Sequence, residues 1–520
     1  MTTEAEFAND PRDDSYDCVV VGSGLGGLSS SAFLAKAGKK VLLVERLDGP
    51  GGYAHAFRRG EYVFDPAVHA VGQAYEGGLL DTWLRALGVR DRCNLIPLDP
   101  FYTVVLPDYT FTAPFGVEEF IEAHVKAFPH EEHGFREFMT LCQRIKDEWD
   151  QARPGTSLAD LGRVAESFQT VLEHRSSSVG EVLEQYVQDP RLKAVCTAIW
   201  GYQGAPPSRL SFITFAGMTI SLLEGGQTYC EGSFQSLVNA WVTALLENGG
   251  ELVVGNEVTG ILLDESKVRG VRLADGREIS TPLVVSNADA LLTFERLVGA
   301  EHFPTPFLDK LRKMPTSTSA FVVYAATTTE LPHEGMAHEI FVYNSEDYDE
   351  VWRDVHAGEI ACVAVTAPSL VDPSLAPRGE NTVCAVALMP YEIDRPWPEV
   401  KEEYTARMVD EIERVFPGFK SGLIFAEGAT PQALGKYSLA RNGAMYGWEN
   451  NPRQTHSRRP SNRTPIEGLY LAGAWSQPGS GTINTMQSGF QTAQIILGYA
   501  DRDEFLRELG YDATVPTAGL

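Results

Sequence analysis

Cys18-Val19-Val20-Val21 is an uninterrupted apolar run, the pattern of a strand buried on both faces of a parallel sheet. Residues 40–44 and 283–285 repeat that pattern and predict two further buried strands. Between the first two runs, Leu28, Ala32, Phe33, Leu34 and Ala35 predict a buried helix that Gly38 ends in a left-handed turn. Helical spacing of apolar residues predicts helices over 79–87, 120–128 and 135–149. Gly232-Ser233 opens an amphipathic helix with Phe234, Leu237, Val238, Trp241 and Leu245 on one face, ending at Gly249-Gly250. Short strands follow at 252–254, 260–263 and 268–273, with a turn at Asp275-Gly276. Alternating stretches at 320–324, 340–343, 360–365 and 382–388 predict the strands of one more sheet, placed to floor a substrate site.

Residues 199–223 stand out for large apolar side chains, among them Trp200, Tyr202, Phe212, Phe215, Met218 and Leu222. Two readings fit this stretch: a core helix, or the lining of an apolar substrate tunnel or membrane-dipping entrance.

Gly22-Ser23-Gly24-Leu25-Gly26-Gly27 follows the first strand directly. Gly22 permits a tight turn, Gly24 lets the backbone approach a pyrophosphate, and Gly27 lets the next helix pack close to the strand. The N-terminus of that helix then faces the phosphates. Glu45, with Arg46 beside it, ends the second strand eighteen residues beyond Gly27, where a carboxylate meets a ribose 2′-hydroxyl and repels a 2′-phosphate. Gly51-Gly52 lets the chain pass close to a cofactor that extends beyond the first nucleotide half, which points to FAD rather than NAD. The remaining parts lie far downstream. Val258 sits in a strand-rich stretch, and Gly473, Ala474, Ile483, Asn484 and Thr485 fall where a strand ends in glycine and a new helix begins. Such a helix start can offer amides to the ribityl chain and the flavin pyrimidine oxygen.

These parts predict an α/β chain: a discontinuous Rossmann-type FAD-binding domain of the glutathione reductase kind, with an interleaved α+β substrate domain. The expected FAD-binding segments are 15–75, 226–290 and 431–500. The substrate segments are 76–225, mainly helical, and 291–430, the sheet floor. Length fits this plan, since 520 residues exceed one small core.

The formal net charge of −27 argues against nucleic acid and against docking on anionic lipid. Seven scattered cysteines without a CxxC pair suggest buried thiols in a reducing compartment. The first fourteen residues are polar and acidic, with neither a basic nor an apolar signal region, and no apolar run is long enough to span a bilayer. The expected location is cytoplasmic, with peripheral membrane contact and oligomeric state left open. His124, His130 and His133 with Glu131 and Glu132 match no zinc spacing and are expected in an exposed polar turn, so no metal is expected. No GxSxG elbow and no phosphate loop occur.

Gly51-Gly52-Tyr53-Ala54-His55-Ala56-Phe57 and Phe64-Asp65-Pro66-Ala67-Val68-His69-Ala70-Val71-Gly72 resemble the GGxxHxF and FDxGxHxxG patterns of retinol saturase-like flavoproteins. Residues 464–489 are similar to the closing segment of the wider group that includes phytoene desaturase and carotenoid isomerase. Two departures are Ala67 for the patterned glycine and the bulkier strip 482–487 where desaturases often carry glycines. The resemblance implies hydride exchange between flavin N5 and a carbon of a hydrophobic isoprenoid, polyene or lipid-like substrate, saturating or desaturating a carbon–carbon bond. His69 and His55 are then the first candidates for a proton donor or base, followed by Tyr446 and Trp475. The alternatives are a redox-neutral double-bond isomerase using reduced FAD, an amine oxidase, and a non-catalytic lipid-binding escort.

Overall fold

The apolar runs become neighbouring strands of one parallel sheet, ordered Glu251–Val253, Val41–Val44, Cys18–Val21, Val284–Ser286 and Leu469–Leu471. The structure, a computed structural model, describes residues 7–151, 167–331 and 335–512; the first six residues of the acidic start therefore lie outside the described residues. From the central strand the chain steps first to Val41–Val44 on one side and much later to Val284–Ser286 on the other. This reversal opens a crevice beyond the carboxyl end of Cys18–Val21, the usual ligand position in such sheets.

Side chains alternate between two cores, which is why the runs carry no polar residue. Val20, Leu43 and Val285 pack beneath the helices Leu25–Lys36, Gln235–Glu247 and Thr482–Leu497. Val19, Leu42 and Val284 pack on the antiparallel strands Val258–Asp264, Lys267–Leu273 and Glu278–Ser280. The first and last of those helices cross closely: a Cβ added at Gly489 would lie 2.2 Å from the Gly26 carbonyl oxygen. Phe33 meets Phe490 edge to face beside that crossing, with ring centroids 4.9 Å apart.

A seven-stranded sheet is ordered Leu423–Ala429, Ser319–Thr327, Asn381–Met389, Cys362–Thr366, Ile340–Tyr343, Tyr102–Val105 and Thr110–Ala113. Only Ile340–Tyr343 and Tyr102–Val105 pair in parallel. Phe321, Val323 and Ala385 face the Trp397–Val415 helix, whereas Val322, Val386 and Leu388 face a cavity. Tyr102–Val105 and Thr110–Ala113 come from a segment read as mainly helical. With the short strand Leu95–Leu98 before them, they lie between the helices Leu79–Ala86 and Val117–Ala127, whose apolar spacing dominates the pattern of the segment.

Residues 199–223 resolve into a 3-10 helix, Ala198–Gln203, and an α-helix, Phe212–Gly225. The two readings of this stretch occupy opposite faces of the α-helix. Phe212, Phe215, Ala216 and Ile220 are core, while Gly217, Met218, Ser221 and Leu222 line the cavity. His124 departs from the expected exposed turn. It is fully buried on the Val117–Ala127 helix, where its Nδ1 lies 2.6 Å from the Phe120 carbonyl oxygen and its ring packs on Phe111, Phe120 and Phe135. Burial holds its pKa down, at about 4, so the ring is neutral and packs as an apolar group. All seven cysteines are buried free thiols. Among the described residues no helix is long and apolar enough to cross a membrane.

Candidate active site

One cavity of about 1110 Å³ runs from the crevice at the switch point to the inner face of the seven-stranded sheet. Its nucleotide end is shaped by backbone. Gly22, Gly24 and Gly26 line it, as do Glu45, Arg46, Gly51, Gly52 and Val258. Gly51 folds back onto the first turn, forming a bridge with Gly24 and donating its N–H to the Ser23 carbonyl at 3.1 Å. Its φ of +125° is a conformation that favours glycine.

The glycines leave room that a side chain would fill. A Cβ at Gly24, Gly26 or Gly473 would come within 2.7, 2.6 and 2.3 Å of the Asn287 amide. Asn287 therefore spans the cradle at the end of Val284–Ser286, a role that sequence reading did not assign. Its place directly after a strand that pairs with Cys18–Val21 brings it there. Ser23, Gly27 and Gly473 do not line the cavity but shape it. A Cβ at Gly27 would lie 2.0 Å from the Gly22 oxygen, and Gly473 donates its N–H to Ser488 Oγ at 3.0 Å.

Glu45 is buried. Its Oε2 accepts from the Ser23 N–H at 2.9 Å and the Ser23 hydroxyl at 2.7 Å, and its Oε1 accepts from the Leu47 N–H at 2.9 Å. A carboxylate has about four acceptor positions, so one remains for a ligand hydroxyl. Arg46 donates to the carbonyls of Tyr437 and Lys436.

Two helix N-termini open on this end. Neither Leu25–Lys36, capped by Gly24, nor Thr482–Leu497, capped by Gly481, has a side-chain cap or an acidic residue in its first turn. Thr482, Ile483, Asn484 and Thr485 line the cavity, as does Ala474, so the strip that departs from the desaturase glycines faces the interior. Unpaired N–H groups at both starts suit an anionic diphosphate and a polarised carbonyl oxygen, so the residues present fit FAD.

The other end is mostly apolar, walled by Tyr202, Met218, Phe341, Ala364, Val386 and Leu388. His69 lines the cavity beside the seven-stranded sheet, at 8 % exposure. Its Nδ1 is 3.7 Å from Glu339 Oε2 and its Nε2 is 3.9 Å from Cys384 Sγ. Desolvation works against charge on the ring, but the buried Glu339 carboxylate outweighs it and holds the His69 pKa well above the ordinary value. His55 is not a lining residue. Its ring stacks on Tyr437 with centroids 4.9 Å apart, and its Nδ1 lies 2.7 Å from the Gly52 carbonyl oxygen and 2.9 Å from Tyr437 Oη. Burial pushes the His55 pKa down. Tyr446 lines the cavity and donates its hydroxyl to the Gly201 carbonyl at 3.2 Å; burial raises its pKa, so it stays protonated. Trp475 lines the cavity and packs edge-on to Trp448 at 5.0 Å.

Asp65 sets the loop that carries His69. Its buried carboxylate accepts from the Tyr229 hydroxyl at 2.5 Å and from the Phe234 N–H at 2.9 Å. Burial raises its pKa from 3.8 to about 7, against those hydrogen bonds. The folded state thus binds a proton that the unfolded chain releases, so this group lowers stability as pH rises from about 4 to about 7. Asp65→Asn, which can keep both contacts, should flatten that dependence. Urea midpoints measured at pH 5 and pH 8 should fall more for the wild type than for the variant; equal falls would remove Asp65 as the cause.

The family model described as flavin containing amine oxidoreductase matches residues 25–497. Phytoene desaturase (neurosporene-forming) of Rhodobacter capsulatus is 30% identical over 498 residues, covering 92% of this chain and 93% of that protein. All-trans-retinol 13,14-reductase of Danio rerio is 26% identical, covering 88% of this chain and 82% of the relative. An oxidoreductase from Methanosarcina mazei shares the fold, with a TM-score of 0.62 at 18% identity, over 92% of this chain and 99% of that one. With the matched segment reaching from the first glycine turn to the end of the Thr482–Leu497 helix, the chain belongs to the flavin containing amine oxidoreductase family, and its cofactor is FAD.

Proposed function

We propose that this chain is an oxidoreductase that uses FAD to add or remove hydrogen across a carbon–carbon bond of a hydrophobic isoprenoid or polyene. The observation that carries this reading is one continuous cavity, whose nucleotide cradle opens onto a mostly apolar wall of sheet and helix. The 30% identical phytoene desaturase and the 26% identical retinol reductase support the same substrate class.

In this reading the N–H groups around Gly24 to Gly26 hold the diphosphate, and the free acceptor position of Glu45 takes a ribose hydroxyl. Gly51 and Gly52 give the ribityl chain room, and the first-turn amides of Thr482–Leu497 bind the pyrimidine edge. Bound there, FAD supplies a two-electron hydride acceptor or donor. Val386, Leu388 and Phe341 exclude water and align the hydrocarbon. His69 handles the proton. Tyr446 and Trp475 serve as walls. His55, stacked on Tyr437 outside the cavity, braces the Gly51-Gly52 turn.

The test is anaerobic incubation of the holoprotein with phytoene and, separately, all-trans-retinol, using oxidised and dithionite-reduced samples. A product two mass units lighter or heavier is expected. An unchanged mass with shifted retention would identify the isomerase instead, and no conversion of either polyene in either redox state would overturn the reading.

A further inference from the structure

Glu339 is a deeply buried carboxylate with few partners. It precedes the Ile340–Tyr343 strand, is 1 % exposed, and neither carboxylate oxygen has a hydrogen-bond partner. Among the described residues no Lys or Arg pairs with it; its ion-pair partner is His69, with Nδ1 at 3.7 Å. An ionised carboxylate without a counter-charge is costly at such depth, so the pair is neutralised together or not at all.

The groups facing His69 come from several elements. Cys384 on Asn381–Met389 lies 3.9 Å from Nε2, a weak partner. His338 places its Nε2 3.1 Å from the His69 carbonyl oxygen, and burial holds the pKa of that second ring down. Asp65 shares the loop of His69 and is engaged by Tyr229 and Phe234. Tyr202, in the cavity wall, has a buried hydroxyl close enough to Glu339 for the two to interact, and as a neutral donor it brings no counter-charge. The positive charge that answers Glu339 is therefore carried by His69.

We propose that Glu339 is a positioning residue that keeps His69 as an imidazolium in the cavity wall, and that His69 is the proton donor for hydrogen addition across a substrate double bond. The inference rests on the FAD and polyene reading above and gives it a direction. Desaturation needs a proton acceptor and develops positive charge on carbon; a ring protonated on both nitrogens has no lone pair to offer and repels that charge. Addition needs the opposite. With FAD bound and reduced, the cofactor would supply a hydride to one alkene carbon, and the electron pair left on the neighbouring carbon would take the proton from His69 Nε2. That N–H bond breaks, a C–H bond forms, and the neutral ring recovers a proton from solvent. The two electrons come from an external two-electron reductant, dithionite in the experiment.

Two measurements separate this inference from the function reading. The first needs no substrate: ¹⁵N NMR of imidazole-labelled holoprotein at pH 8, with the His69 signal assigned by its loss in His69→Gln. Wild type should show both ring nitrogens protonated, and Glu339→Gln should show a neutral ring. A neutral His69 in wild type overturns the proposal whether or not any variant folds. The second is turnover of all-trans-retinol by dithionite-reduced enzyme in D₂O. The product should carry two solvent-derived deuteriums on neighbouring carbons, one delivered as the hydride, because the N5 hydrogen of a dithionite-reduced flavin comes from solvent, and one through His69. Glu339→Gln should lower the rate at least tenfold and move the alkaline limb of its pH profile to lower pH, because a less supported imidazolium loses its proton earlier; Glu339→Asp should restore part of both. Conversion only by oxidised enzyme, with loss of hydrogen, overturns the inference and leaves the function reading standing. No conversion of any polyene defeats the function reading, and the NMR result then decides the charge pair alone.

Discussion

Gly24→Val should give a folded protein that purifies without yellow colour. At φ −62° and ψ 169°, Gly24 adopts extended backbone open to any residue, so the substitution carries no conformational strain. The atoms a Cβ would meet within 4 Å belong to the Asn287 side chain, with Nδ2 nearest at 2.7 Å, and a flexible amide can swing aside. The added methyl groups occupy the space through which the diphosphate must approach the backbone. We expect FAD affinity to fall by about 100-fold or more, about 2.7 kcal/mol, with the unfolding midpoint of the cofactor-free protein close to wild type. Gly27→Val is the contrasting control. Its Cβ would sit 2.0 Å from the Gly22 carbonyl oxygen, backbone against side chain, so that variant should lose the fold itself. Flavin absorbance per protein and thermal unfolding of the stripped protein separate the two. A Gly24→Val protein that retains a full complement of flavin would show that the cofactor does not use this approach.

Those two glycines also show how much of the site could be read from the chain. Local order carries the nucleotide end, because strand, turn, helix, strand and acid follow one another within residues 18–45, and each step constrains the next. The closing helix was legible from its own local order, a strand ending in glycine and a glycine-rich turn before an apolar helix, and its Gly489 sits against Gly26. The Ile340–Tyr343 strand was legible from its alternation, whereas its parallel neighbour Tyr102–Val105 was not. That pairing joins segments more than two hundred residues apart, and nothing local to either strand marks the other as its neighbour. Glu339 is a harder case. Nothing near it marks a site, and its meaning comes from Nδ1 of His69, a contact that only the folded chain creates. Asn287 lies between these extremes: its strand was read correctly, but a single polar residue after a strand does not announce that it fills the gap beside three glycines.

The second large effect concerns the opposite end of the cavity. Gly217→Phe should leave the flavin in place and cost most of the turnover. Gly217 lies inside the Phe212–Gly225 helix, on the face that lines the cavity, and a Cβ there would meet nothing within 4 Å. The core face of the same helix, Phe212, Phe215, Ala216 and Ile220, is untouched. Replacing a mid-helix glycine also gains a few tenths of a kcal/mol in helix propensity, so stability should hold or rise slightly. With open space beside Gly217, the aromatic ring enters the cavity from the helix wall that also carries Met218, Ser221 and Leu222. A long rigid polyene cannot bend around it, and kcat/KM should drop by about tenfold or more, about 1.4 kcal/mol of transition-state binding. Gly217→Ala should retain near wild-type kcat/KM, since one methyl group is accommodated. The argument depends on the helix using one face for folding and the other for substrate. Wild-type turnover in a flavin-loaded Gly217→Phe protein would mean that the substrate enters and reacts elsewhere, and the apolar half of the cavity would lose its assigned role.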